Sequence, residues 1–90
     1  MPTIRLPVRL RSYTNGETII PVNGENVAQA VEDLLIQYPV LRSHLTNQAG
    51  ELRPFVNLFL NKENIKSLEG VQTPLTEDDQ LLLLPSVTGG

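Results

Sequence analysis

Apolar and polar residues alternate from the start of the chain. Ile4, Leu6, Val8 and Leu10 are separated by Arg5, Pro7 and Arg9, which predicts a half-buried strand over residues 3–10. Pro7 has no N–H for a ladder, so its position should lack a partner or form a bulge. Asn15-Gly16 is the strongest short hairpin signal in the chain, and it leads into a second strand over residues 17–22. The period then changes. Val27, Val31, Leu34, Leu35 and Tyr38 follow helical spacing, with Glu32, Asp33 and Gln37 on the other side. Asn26 suits the N-cap and Gln29 the third helical position of a partial capping box. Pro39 ends this helix near Gln37 or Tyr38. Residues 40–45 suit one further turn, and the polar residues 46–53 a loop.

Residues 54–60 predict a third strand, residues 61–64 a turn, and Ile65 the start of a short edge strand. Residues 67–76 carry Gly70 and Pro74 and have no regular period. Glu77-Asp78-Asp79 reads as an acidic turn before a last strand over residues 80–85. The order is hairpin, helix, strand, short strand, strand. The first and last strands can pair in parallel at the centre of one sheet, with the helix on one face. That predicts an α+β, β-grasp (ubiquitin-like) fold: a mixed sheet of four to five strands with one main helix packed on it. Residues 1–85 form the expected domain, and residues 86–90 a flexible tail.

The run Leu81-Leu82-Leu83-Leu84 sharpens this picture. Alternation sends Leu81 and Leu83 to the core, beside Val56, Leu58 and Leu60. Leu82 and Leu84 then share the other face with Phe55 and Phe59, where a two-layer domain has no second layer. An apolar face left in water marks an interaction surface. Phe59, Leu82 and Leu84 are therefore the candidate docking patch, and Pro85 and Val87 join them as partner-binding candidates. The covering alternative is that residues 67–76 fold over this face.

Composition narrows the classes of function. Ninety residues fit one small domain with a single core. The net charge of -3 gives no reason to expect a nucleic acid or an anionic membrane as partner. The absence of cysteine removes disulfides, thiolate metal sites and a cysteine nucleophile, and suits a cytoplasmic protein. The N-terminus has no apolar signal run. His44, the only histidine, lacks metal-ligand partners at suitable spacing and reads as an exposed or locally capped side chain. Glu77-Asp78-Asp79 lacks the alternating spacing of a calcium loop. No nucleophile–base set and no Gly-rich phosphate loop occurs, so the chain is not expected to be a self-contained enzyme. What remains is the end of the sequence. Gly89-Gly90 follows the last strand closely, and a tail without side chains can thread a channel too narrow for other residues.

These segments resemble the MoaD/ThiS family of ubiquitin-like sulfur carriers. The likeness rests on FVNLFLN at 55–61, EDDQLLLLP at 77–85 and the ending PSVTGG at 85–90. It implies a β-grasp domain whose Gly90 carboxylate is adenylated with ATP and magnesium by a MoeB/ThiF-like enzyme and converted to a thiocarboxylate. Gly89 and Gly90 are then the reacting end, and the carrier itself holds no cofactor or metal. The longer segment before the third strand, with Phe55-Val56-Asn57 to Asn61, is most similar to CysO-type cysteine-synthesis carriers. In these the sulfur acceptor is a PLP-dependent cysteine synthase. The ending also fits the small subunit of molybdopterin synthase, whose acceptor would be that enzyme's large subunit, and a ubiquitin-like protein modifier. Ser86 and Thr88 depart from the commoner residues of the family ending.

Overall fold

Pro7 decides where the first strand ends. In the computed structural model, which describes residues 1–54 and 56–85, β1 spans only Thr3–Arg5. Leu6 is buried and still donates its N–H to the Thr18 carbonyl at 2.8 Å. Pro7 cannot continue the ladder. The chain instead enters a 3-10 helix over Val8–Thr14, and the expected alternation stops, with Val8 74% exposed. Asn15 (φ 56°) and Gly16 (φ 83°) take the left-handed conformations that turn the chain out of this segment. They close a 3-10 helix, so they do not form the two-residue hairpin loop predicted from the sequence. The buried Thr14 hydroxyl bonds the Glu17 carbonyl at 2.9 Å, and the Arg11 guanidinium donates to the Leu6 carbonyl. β2 (Ile19–Pro21) then pairs antiparallel with β1, Ile4 opposite Ile20.

The sheet is completed by β3 (Val56–Leu60), β4 (Glu63–Asn64) and β5 (Gln80–Pro85), in the order β2-β1-β5-β3-β4. β5 is central. It runs parallel to β1, with Ile4 beside Leu81 and Arg5 beside Leu82. It runs antiparallel to β3, with Leu58 opposite Leu83 and Phe59 opposite Leu82. Asn61 (φ 53°) and Lys62 (φ 72°) make the tight turn from β3 to β4. The edge strand is thus Glu63-Asn64 and does not begin at Ile65. The Asn64 side chain accepts from the Lys66 N–H at 2.9 Å, which caps a 3-10 turn over Ile65–Ser67 and takes Ile65 into the core.

Helix α1 spans Val27–Gln37, and Asn26 caps it by accepting from the Gln29 N–H at 2.9 Å. The Gln29 side chain reaches back to the Glu25 N–H at 2.8 Å, one residue earlier than an ideal capping box. Gly24 lies so close to this helix that an added methyl would meet the Ala30 backbone nitrogen at 2.6 Å. Pro39 follows the end of α1 and opens a 3-10 turn that runs into the short α2 (Arg42–Leu45). Val27, Val31, Leu34 and Leu35 pack with Ile4, Leu6, Val56, Leu58, Leu81 and Leu83 in one buried cluster, as the pattern predicted. Ile20, Val22, Leu41, Leu45, Leu60 and Ile65 extend it. Residues 70–75 lie at the start of α1, where Thr73 accepts from the Val27 N–H and Leu75 donates to Glu25. They belong to the helix layer, and among the described residues none packs over the far face of the sheet. A mixed five-stranded sheet with a central parallel pair and one helix across it is the β-grasp arrangement.

Candidate functional site

The uncovered face takes its character from the register of β5. Because Leu81 and Leu83 point into the core at 0% and 1% exposure, Leu82 and Leu84 must point away from it. Pairing then builds a row across the sheet: Ile19, Arg5, Leu82, Phe59 and Asn64 are successive partners on five strands. Ile19 is 43% exposed and Leu84 is 38% exposed, while Phe59 and Leu82 are half-buried. Phe59, Leu82 and Leu84 line one open groove of about 420 Å³, with Lys62 and Asp78 also in its wall. Polar side chains frame it. Gln80 donates to the Thr3 hydroxyl at 3.2 Å, and Asn64 donates to the Asn57 side chain at 3.3 Å. Phe59, Leu82 and Leu84 therefore share one surface, and Arg5 and Ile19 lie on the same face of the sheet. The signal for Ile19 was in the sequence: of the adjacent pair Ile19-Ile20 in one strand, only one can face the core.

Phe55, Val87, Gly89 and Gly90 lie outside the described residues, as does the expected tail over 86–90. The backbone of Pro85 closes β5 opposite Val56. This places the exit of the tail at the end of the central strand, between the apolar outer face and the helix layer.

The remaining candidates do not gather into a site. The half-buried His44 ring lies 4.4 Å from that of Tyr13. Asp79 caps its own turn by accepting from the Thr76 N–H at 2.8 Å. Among the described residues, no three His, Asp or Glu side chains are grouped to hold a metal ion. None of their helices is long and apolar enough to cross a membrane. The one ion pair among them, Arg42 to Glu32 at 2.6 Å, ties α2 to α1; that hydrogen bond raises the Arg42 pKa above its ordinary value. It lies on the helix layer, away from the apolar face.

Comparisons with known proteins agree with this geometry. The chain is 29% identical over 90 residues to the sulfur carrier protein CysO of Mycobacterium tuberculosis, covering 98% of this chain and 97% of that protein. A chain in the crystal structure of the Amycolatopsis orientalis BexX/CysO complex superposes with a TM-score of 0.87 at 27% identity, covering 100% of both chains. Small archaeal modifier protein 1 from Methanosarcina acetivorans superposes with a TM-score of 0.85 at 30% identity, covering 99% of this chain and 95% of that one. The sequence model of the ThiS family matches residues 4–90, nearly the whole chain and the final glycine included. With fold and length in agreement, this chain belongs to the ThiS family.

Proposed function

We propose that this chain is a sulfur carrier protein of cysteine synthesis, and that its reacting group is the carboxylate of Gly90. The observation that carries the reading is the end-to-end match: the family extends to Gly90, and the similar CysO is a sulfur carrier over the same length. The exposed apolar face beside the end of β5 supports it, because a carrier must be held while its end reacts elsewhere.

The chemistry needs little from the carrier. A carboxylate is a poor electrophile, so an enzyme of the MoeB/ThiF type first activates it, using ATP and magnesium. A Gly90 oxygen attacks the α-phosphorus of ATP, and pyrophosphate leaves with the broken P–O bond. Hydrosulfide, the simplest sulfur donor, then adds at the acyl carbon. AMP leaves, one proton is released, and a thiocarboxylate remains. The thiocarboxylate sulfur is the nucleophile delivered to the acceptor, an activated serine on a PLP-dependent synthase. The chain contains no cysteine, so sulfur would be held at Gly90 alone. It acts as a protein co-substrate in the cytoplasm, a group carrier and not a catalyst. Residues 86–90 serve as the reach between folded domain and reaction centre.

Deleting Gly90 tests this. The deletion moves the carboxylate by about 3.5 Å, and a misplacement of even ~1 Å costs roughly a hundredfold in rate. With activating enzyme, ATP and magnesium, the variant should lose adenylation and thiocarboxylate formation while its thermal midpoint stays unchanged. Adenylation of the deletion variant at the wild-type rate would overturn the reading. The similarity to an archaeal modifier protein favours one second reading, in which Gly90 forms isopeptide bonds to lysines. Lysine-linked conjugates on target proteins would identify that role.

A further inference from the structure

The segment that the sequence pattern missed builds a second surface at the exit of the tail. The 3-10 helix Val8–Thr14 faces α2 across a cleft of about 520 Å³ at the end of the sandwich. Its apolar wall includes Leu10, Leu45, Val56 and Leu83. Val56 is the register partner of Pro85, so the cleft opens beside the point where residues 86–90 depart. The outer apolar groove flanks the same strand on the opposite face.

The charge of this cleft differs from that of the whole chain. The chain has 10 acidic and 7 basic residues, yet among the described residues the cleft is lined by Arg9 and Arg53 and by no carboxylate. Arg9 is exposed, and among the described residues neither guanidinium has a salt-bridge partner. The Arg53 guanidinium donates to the Ser43 carbonyl at 3.4 Å. The other arginines are differently placed: Arg11 is tied to Leu6, Arg42 to Glu32, and Arg5 lies on the outer face. Tyr13 and Val8, 39% and 74% exposed, stand on the same 3-10 helix as Arg9. Arginine with exposed aromatic and aliphatic side chains is the composition of an interface centre.

A tail of five residues spans at most about 16–18 Å. An enzyme that encloses the last carboxylate must therefore close around the end of β5 and cover this cleft. Two guanidinium groups covered without an anionic partner would lose hydration that nothing offsets. Carboxylates match their fork geometry. We infer that the enzyme that adenylates this chain carries acidic side chains at the mouth of its tail channel, seated against Arg9 and Arg53. This rests on the adenylation reading above.

The test measures association rates with the activating enzyme across a range of salt, after wild-type adenylation is established by ATP–pyrophosphate exchange. Absence of that exchange overturns both readings. Where exchange occurs, Arg9→Glu and Arg53→Glu should each slow association about tenfold at low salt and flatten its salt dependence. Arg9→Lys should keep most of the wild-type rate. Lys66→Glu makes the same change of charge on the exposed 3-10 turn after β4 and should alter the rate less than twofold. Thermal melts check folding, and Arg9 alone decides if Arg53→Glu does not fold. Wild-type rates and salt dependence in Arg9→Glu, or faster association, would overturn the acidic mouth.

Discussion

Leu81 and Leu82 are the same residue type, adjacent in the same strand, and they do different work. Leu81 is 0% exposed and packs beneath α1 with Ile4 and Leu58. Leu82 sits half-buried on the far face, between Arg5 and Phe59, with nothing described above it. Leu83 and Leu84 repeat the contrast at 1% and 38% exposure. One face of β5 stabilises the domain; the other leaves apolar area on the far face, with no described residue packed over it. Hydrophobicity alone therefore does not separate folding residues from binding residues. The pleat and the number of layers separate them.

The contrast can be broken from the inside first. Leu81→Ala should cost about 2–5 kcal/mol of unfolding free energy in denaturant titration, through lost transfer energy and a cavity. A cost under about 1 kcal/mol would mean that the inner face is not the core. Leu82→Asp should do the reverse. Stability should fall by no more than about 1 kcal/mol, since the side chain already meets water. Affinity for the activating enzyme should fall by about 2 kcal/mol, roughly thirtyfold, in calorimetric titration. Unchanged affinity would remove the outer face from the interface. Ile19→Thr is the finest probe, because Ile19 lies at the edge of the same row. Its affinity loss should stay near about 0.5 kcal/mol, as expected at a rim position. A loss as large as that of Leu82→Asp would move the interface centre toward β2.

Most of this division was legible in the sequence, because it follows from period. The bounds of β5, the Asn26 cap, the end of α1 before Pro39 and the opposed faces of the leucine run each rest on a local rule that tertiary contacts reinforce. Two of the readings that failed did so for identifiable reasons. Val8 and Leu10 continue the alternation of Ile4 and Leu6, yet one missing N–H at Pro7 outweighs two apolar residues in register. Ile65 reads as a strand residue because it is apolar, while pairing falls on Glu63 and Asn64. An edge strand of two residues is too short to show a period. The cleft between the 3-10 helix and α2 was illegible for the same reason, since no periodic signal brings Arg9 and Arg53 together. Of the chemical site, the sequence offered Gly89-Gly90 by position; the structure contributes the strand end and the two surfaces from which that tail departs.

The central claim is that sulfur rides on Gly90. The chain has one methionine and no cysteine, which makes a direct measurement possible. Replacing one carboxylate oxygen by sulfur changes the intact mass almost as oxidation of Met1 does, so mass alone is ambiguous. A thiol-directed alkylating reagent resolves it, because a thiocarboxylate is the only sulfur nucleophile this chain can acquire without a partner's cysteine. The account predicts that protein isolated after reaction with activating enzyme, ATP and a sulfur donor takes up one alkyl group per chain. Fragmentation should place that group on Gly90, and protein incubated without ATP should take up none. Full conversion by the enzyme with no alkylation, or an adduct mapped away from Gly90, would contradict it.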